Sequence, residues 1–121
     1  MIEGSAISDD TIKKVSKYTK GKQKVLVCLD SNHTHDHVLK ELQLYSPFVS
    51  PGSYIIAFDT IVENLPENYI SNQPRPWCPG NNPMTAVNEF LKENEQFSID
   101  ESIDNKLLIS VAPRGYLKRK K

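Results

Sequence analysis

An α/β fold is predicted for this chain of 121 residues by three observations. Two short unbroken apolar runs, residues 25–29 and 54–58, each stop at an aspartate, Asp30 and Asp59. Between them, residues 34–45 carry Val38, Leu39, Leu42 and Tyr45 at helical spacing. Runs without alternation read as strands buried on both faces, the habit of parallel sheets, and a strand–helix–strand unit crosses over to a parallel neighbour.

The elements follow in order. Ser8 is a hydroxyl cap with Asp9 and Asp10 over the positive end of a first helix. Ile12, Val15 and Thr19 give it an apolar-leaning face, and Gly21 supplies its stop. The first strand, the 34–45 helix and the second strand come next, with a turn at Ser50, Pro51, Gly52 and Ser53. Residues 61–80 hold four of the eight prolines (Pro66, Pro74, Pro76 and Pro79) and show no period, which predicts a long loop of the kind that is either functional or disordered. Asn82 and Pro83 open another helix, striped by Met84, Val87, Phe90, Leu91 and Phe97. Residues 107–112 read as a final strand, 113–115 as a turn and 118–121 as a basic tail.

A chain of this length fits one domain, and 38% apolar residues can build a modest core. Fifteen basic residues balance fifteen acidic ones, so no whole-domain nucleic-acid footprint is expected. No apolar run reaches the roughly 18 residues of a membrane span. Residues 1–5 lack the basic start and apolar stretch of a secretory signal. Cys28 and Cys78 form no paired motif, and a cytoplasmic chain with free thiols is the simplest reading.

Ligands of open α/β sheets sit beyond the carboxyl ends of the strands. Asp30 and Asp59 both stand at such ends, where they would hold a divalent cation or simply cap the segments that follow. The patch from Asp30 to His37 holds all three histidines. His33 and His37, four apart, have a spacing zinc sites use, but no further spaced ligand supports zinc. One histidine acting as general base beside a metal-held hydroxyl is the better functional reading. The five glycines spell neither a GxGxxG nor a P-loop, so a nucleotide cofactor lacks its usual cradle on this chain. Arg75 and Trp77 are candidates for lining a substrate pocket, or for pinning the loop that carries them.

The runs from Leu29 to His35, Tyr45-Ser46-Pro47, Val49 to Tyr54 and Asp59-Thr60 resemble the cephalosporin hydroxylase / rhamnosyl O-methyltransferase family. So do Arg75-Pro76-Trp77, Pro79-Gly80-Asn81-Asn82-Pro83, Ala86-Val87, Phe90-Leu91 and the closing Gly115 to Arg119. The resemblance runs nearly end to end. It implies a partial Rossmann-like fold of the class I S-adenosylmethionine-dependent methyltransferases, with a mostly parallel sheet and flanking helices. The first strands and the glycine-rich loop lie before Met1 in relatives, so the chain resembles a carboxyl-terminal half, natural truncation or fragment.

By the same resemblance the activity is Mg2+-dependent methylation of a hydroxyl on a sugar, glycolipid or antibiotic-like molecule, or an accessory role in hydroxylation. Asp30 and Asp59 are the implied magnesium ligands. His33 is the catalytic base, similar in place to the lysine base of catechol-type methyltransferases. Glu3, Gly4 and Ser5 are the expected S-adenosylmethionine contacts, and His35, Arg75 and Trp77 the substrate contacts. The chain departs from the family at Phe58, where a glutamate is usual, and at Cys78, where a smaller residue is. The alternative is a non-catalytic interaction module that self-associates through an exposed sheet edge.

Overall fold

The computed structural model describes residues 1–66, 69 and 74–121, so part of the expected 61–80 loop lies outside the described residues. Helix α1 spans Asp9–Thr19, as its caps predict. The Ser8 hydroxyl accepts from the Thr11 amide, and Gly21, at φ 77°, follows the last turn. Only Thr11 of this helix is buried. Strand β1 (Val27–Leu29), helix α2 (His35–Tyr45) and strand β2 (Tyr54–Ala57) form the predicted unit, and β1 pairs with β2 in parallel.

Beyond it lie helix α3 (Pro83–Glu93), strand β3 (Phe97–Ile99), helix α4 (Glu101–Leu107) and strand β4 (Tyr116–Arg119). The sheet order is β1-β2-β4-β3. Strand β4 runs antiparallel to both of its neighbours, so β1, β2 and β3 point one way and β4 against them. The expected mostly parallel sheet is therefore corrected to a mixed one, with one parallel pairing and two antiparallel among the described strands.

Three further corrections come from the same carboxyl-terminal third. Residues 107–112 are not a strand: α4 ends there, and Leu107, Leu108, Ile109 and Val111 are exposed. Asp100 caps that helix by accepting from Ser102, Leu108 leaves it at φ 63°, and the place beside β2 belongs to β4. Phe97 sits in β3 rather than on the α3 stripe, because the chain turns at Asn94, whose side chain accepts from the Gln96 amide. Lys118 and Arg119 are not a tail either. Leu117 is fully buried between them and Tyr116, and Arg119 donates to the carbonyls of Pro47 and Val49.

The core lies on one face of the sheet. Val38 and Leu42 of α2 and Ala86, Val87 and Phe90 of α3 pack onto Leu29, Ile55, Ala57, Phe97 and Leu117. The reading of 25–29 and 54–58 as strands buried on both faces fails on the other side. Along β2, Ile55 and Ala57 are buried while Tyr54 and Ile56 are half-buried, the alternation of a sheet covered on one face.

Candidate functional site

Register places the site. Leu29 pairs with Ala57, and the Phe58 amide donates to the Leu29 carbonyl at 3.0 Å, so the two strands end level. Asp30 and Asp59 therefore leave the sheet at one rim. Asp59 takes the left-handed conformation, φ 54°, which aspartate tolerates better than most residues. Immediately after it, buried Thr60 donates to the Pro113 carbonyl at 2.7 Å and fixes the turn to the 111–113 segment.

His33 closes the group. Its Nε2 lies 3.4 Å from Asp30 Oδ1 and 3.2 Å from Asp59 Oδ2. These three ligand atoms all fall within 4.8 Å of one another. Nε2 is buried yet makes no hydrogen bond of acceptable geometry, so proximity to two carboxylates leaves it unsatisfied. The imidazole packs against Trp77 at a steep angle, 63° between the ring planes with centroids 5.0 Å apart, and Arg75 lies 5.7 Å from the centre of the Trp77 ring. Five of the residues singled out in the sequence are thereby gathered: Asp30, His33, Asp59, Trp77 and, through it, Arg75.

Two asparagines hold this cluster in place. Asn81 accepts from the His35 amide at 2.8 Å, capping α2 from across the molecule, and donates to the Pro76 carbonyl. Asn82 caps α3 through Met84 and Thr85, in a reciprocal capping box. Its amide also donates to the Cys78 carbonyl and to Glu63. The consecutive asparagines thus start two helices at once and anchor both sides of Trp77.

Other expected residues go elsewhere. His35 turns to α3: Nδ1 lies 2.8 Å from the Thr85 hydroxyl and Nε2 3.2 Å from Glu89. His37 does not join His33, so the zinc spacing is unused; it faces Ser31 at 3.2 Å and Glu41 at 3.6 Å. Glu3, Gly4 and Ser5 precede α1. Next to them, the Ala6 carbonyl accepts from Tyr45, at the carboxyl end of α2, whereas Asp30 and His33 precede its amino end.

Glu41 was not singled out in the sequence. It interrupts the apolar stripe of α2 between Val38 and Leu42, and that interruption was the available signal. Burial pushes its carboxyl above the usual range, opposed by the Ser31 hydroxyl and by His37 and His33; burial likewise raises the Tyr45 hydroxyl, with the Glu41 charge adding to it. A raised folded value means stability is full below the ordinary glutamate range and falls as pH rises through the folded value. Glu41→Gln keeps the neutral form at every pH. Thermal melts of this variant are expected to match wild type near pH 4 and to exceed it at pH 8; an equal or lower midpoint at pH 8 would contradict the assignment.

The donor set tests the implied magnesium. Two carboxylate oxygens suit a hard cation, but the third convergent donor is an imidazole nitrogen, and Phe58 supplies none. The oxygens fit magnesium and the nitrogen does not.

Residues 1–120 match the family model Rhamnosyl O-methyltransferase/CmcI. A rhamnosyl O-methyltransferase of Mycobacterium tuberculosis (strain ATCC 25618 / H37Rv) is 29% identical over 99 residues. That of Mycobacterium bovis (strain BCG / Pasteur 1173P2) has the same identity, and each alignment covers 79% of this chain. The chain spans 36% of the length of these relatives. No solved structure matches. The chain belongs to the Rhamnosyl O-methyltransferase/CmcI family. Among the described residues no helix is long and apolar enough to cross a membrane.

Proposed function

We propose that this family member serves O-methylation of a saccharide hydroxyl, and that this chain carries the side of the site that receives the hydroxyl. The observation that carries the reading is the convergence of Asp30, Asp59 and His33 at the carboxyl ends of two parallel strands, with Trp77 against them. A divalent cation held by the two aspartates would lower the pKa of an acceptor hydroxyl. The chain's own groups supply orientation. An aromatic ring beside carboxylates suits a sugar, which presents C–H faces and hydroxyls together, and Arg75 extends the polar rim. A sugar borne on a lipid or an antibiotic-like molecule falls within the same class. Changing Asp30→Ala is expected to abolish cation-dependent transfer of a methyl group from S-adenosylmethionine to a rhamnosyl acceptor, followed by mass spectrometry. Undiminished transfer would remove Asp30 from the site.

The methyl donor is S-adenosylmethionine, expected to bind this chain weakly. Glu3, Gly4 and Ser5 offer few contacts and adjoin the far end of α2 from Asp30. Rigid-body entropy must be offset by those few contacts, so a dissociation constant no tighter than roughly 1 mM is expected. Calorimetric titration of the chain checks this, and a micromolar saturable heat would show that the donor site is here after all.

A second reading rests on β1, an edge of the described sheet, where Cys28 and Leu26 are exposed. Pairing of this edge with a second copy gives a self-associating module without catalysis. A strictly monomeric species in sedimentation at high concentration would count against it.

A further inference from the structure

We infer that His33 is a ligand of the bound cation, and that the site therefore selects a divalent transition metal over magnesium. The inference deepens the proposed function and rests on the cation site assigned there. Three features of the structure point to it. The Nε2 distances of 3.2 and 3.4 Å to the two carboxylate oxygens fall where one shared cation puts its ligands. With bonds of about 2.1 Å, neighbouring ligand atoms stand about 3.0 Å apart in an octahedron and about 3.4 Å in a tetrahedron.

The second feature is that Nε2 is buried and unsatisfied even at those distances. A protonated ring linking the two aspartates would place its N–H along at least one N···O line. Here neither contact has hydrogen-bond geometry, so the atom has approach without alignment. Coordination through Nε2 accounts for both facts, because a ligand nitrogen stands close to its fellow ligand oxygens without donating to either.

The third is Phe58. It stands immediately before Asp59, half-buried, and brings no donor to a rim where two carboxylates converge among the described residues. Two oxygens alone bind a cation weakly. An imidazole as the third ligand changes the chemistry of the site: magnesium strongly prefers oxygen, whereas manganese, iron, cobalt and zinc accept nitrogen readily. Assigning Nε2 to the cation also excludes it from the role of general base, since one lone pair cannot serve both.

The test uses the 121-residue chain with the metals alone. Calorimetric titration is expected to give cobalt a preference over magnesium of at least about a hundredfold, as a mixed nitrogen–oxygen site should. His33→Asp is expected to reduce that preference to about tenfold or less, mainly by tightening magnesium. His37→Ala, at the neighbouring histidine, is expected to leave the ratio unchanged. In wild-type chain, zinc is expected to shift the 15N resonance of His33 Nε2 and not that of Nδ1, a readout that needs no variant to fold. Comparable affinities for cobalt and magnesium, a preference that survives His33→Asp, or an unmoved Nε2 resonance would each overturn the proposal. Methyl transfer is scored separately. If transfer fails while the titrations behave as stated, the cation site stands and the proposed function falls.

Discussion

Gly115→Ala is expected to destabilise this chain by about 3 kcal/mol or more, the cost of overpacking where nothing can yield. A Cβ at this position would stand 2.2 Å from the Ala57 carbonyl oxygen and 3.1 Å from that of Ala112. Both neighbours are backbone, so relief requires parting β4 from β2. The same peptide accepts the Ala57 amide at 2.9 Å, and that bond holds the end of β2 two residues before Asp59. The change should therefore act twice: a fall of about 10 °C or more in midpoint, at roughly 3–5 °C per kcal/mol for a domain of this size, and weaker cation binding at the rim. Thermal melts with cobalt titrations check it. A midpoint within 2–3 °C of wild type, about 0.5 kcal/mol, would mean that the strands relax freely.

The elements that could be read in the sequence were those fixed by local chemistry. Ser8, Asp9 and Gly21 define α1 through capping groups that need no tertiary partner. The two apolar runs ending in Asp30 and Asp59 gave both the parallel pair and the rim, because pairing register carries strand ends with it. Of the candidate site, the convergence of Asp30 and Asp59 follows from their places at the ends of neighbouring strands, whereas the approach of His33 and Trp77 to them is visible only in the fold. His35 could not be sorted from His33 without the fold: the direction of each ring is decided by α3, whose Thr85 and Glu89 take one of them.

The carboxyl-terminal third is decided instead by a tertiary competition. The apolar residues 107–112 look more like a strand than residues 116–119 do, yet the outcome depends on which segment reaches the free side of β2. Tyr116, Leu117 and Lys118 do so because Gly115 permits close approach, and Leu117 then joins the buried core. Propensity does not contain that competition. Leu107, Leu108, Ile109 and Val111 are left exposed as a consequence, and their hydrophobicity was the misleading signal.

Asn82→Ala should be the second most damaging substitution, and it tests whether the paired asparagines act as a unit. Asn82 is fully buried, and three services are lost with its side chain. The cap on α3 goes, worth about 0.5–2 kcal/mol. The Cys78 carbonyl and the Glu63 carboxylate lose a buried donor, which costs about 1–3 kcal/mol more. A loss of about 2–4 kcal/mol is expected in chemical denaturation. Asn82→Asp separates the terms. It keeps the cap and favours the helix dipole, but sets a second carboxylate against Glu63, so it should recover little at pH 7 and more near pH 4. Asn81→Ala should cost less, because Asn81 is only half-buried and the His35 amide it releases can turn to water. The two alanine variants should also differ at the site. Loss of Asn82 frees the Cys78 side of Trp77, whereas loss of Asn81 frees the Pro76 side together with the start of α2. Trp77 fluorescence reads both. An emission maximum unmoved in both variants would show that Trp77 is held by its ring contacts with His33 and Arg75 and not by the asparagines.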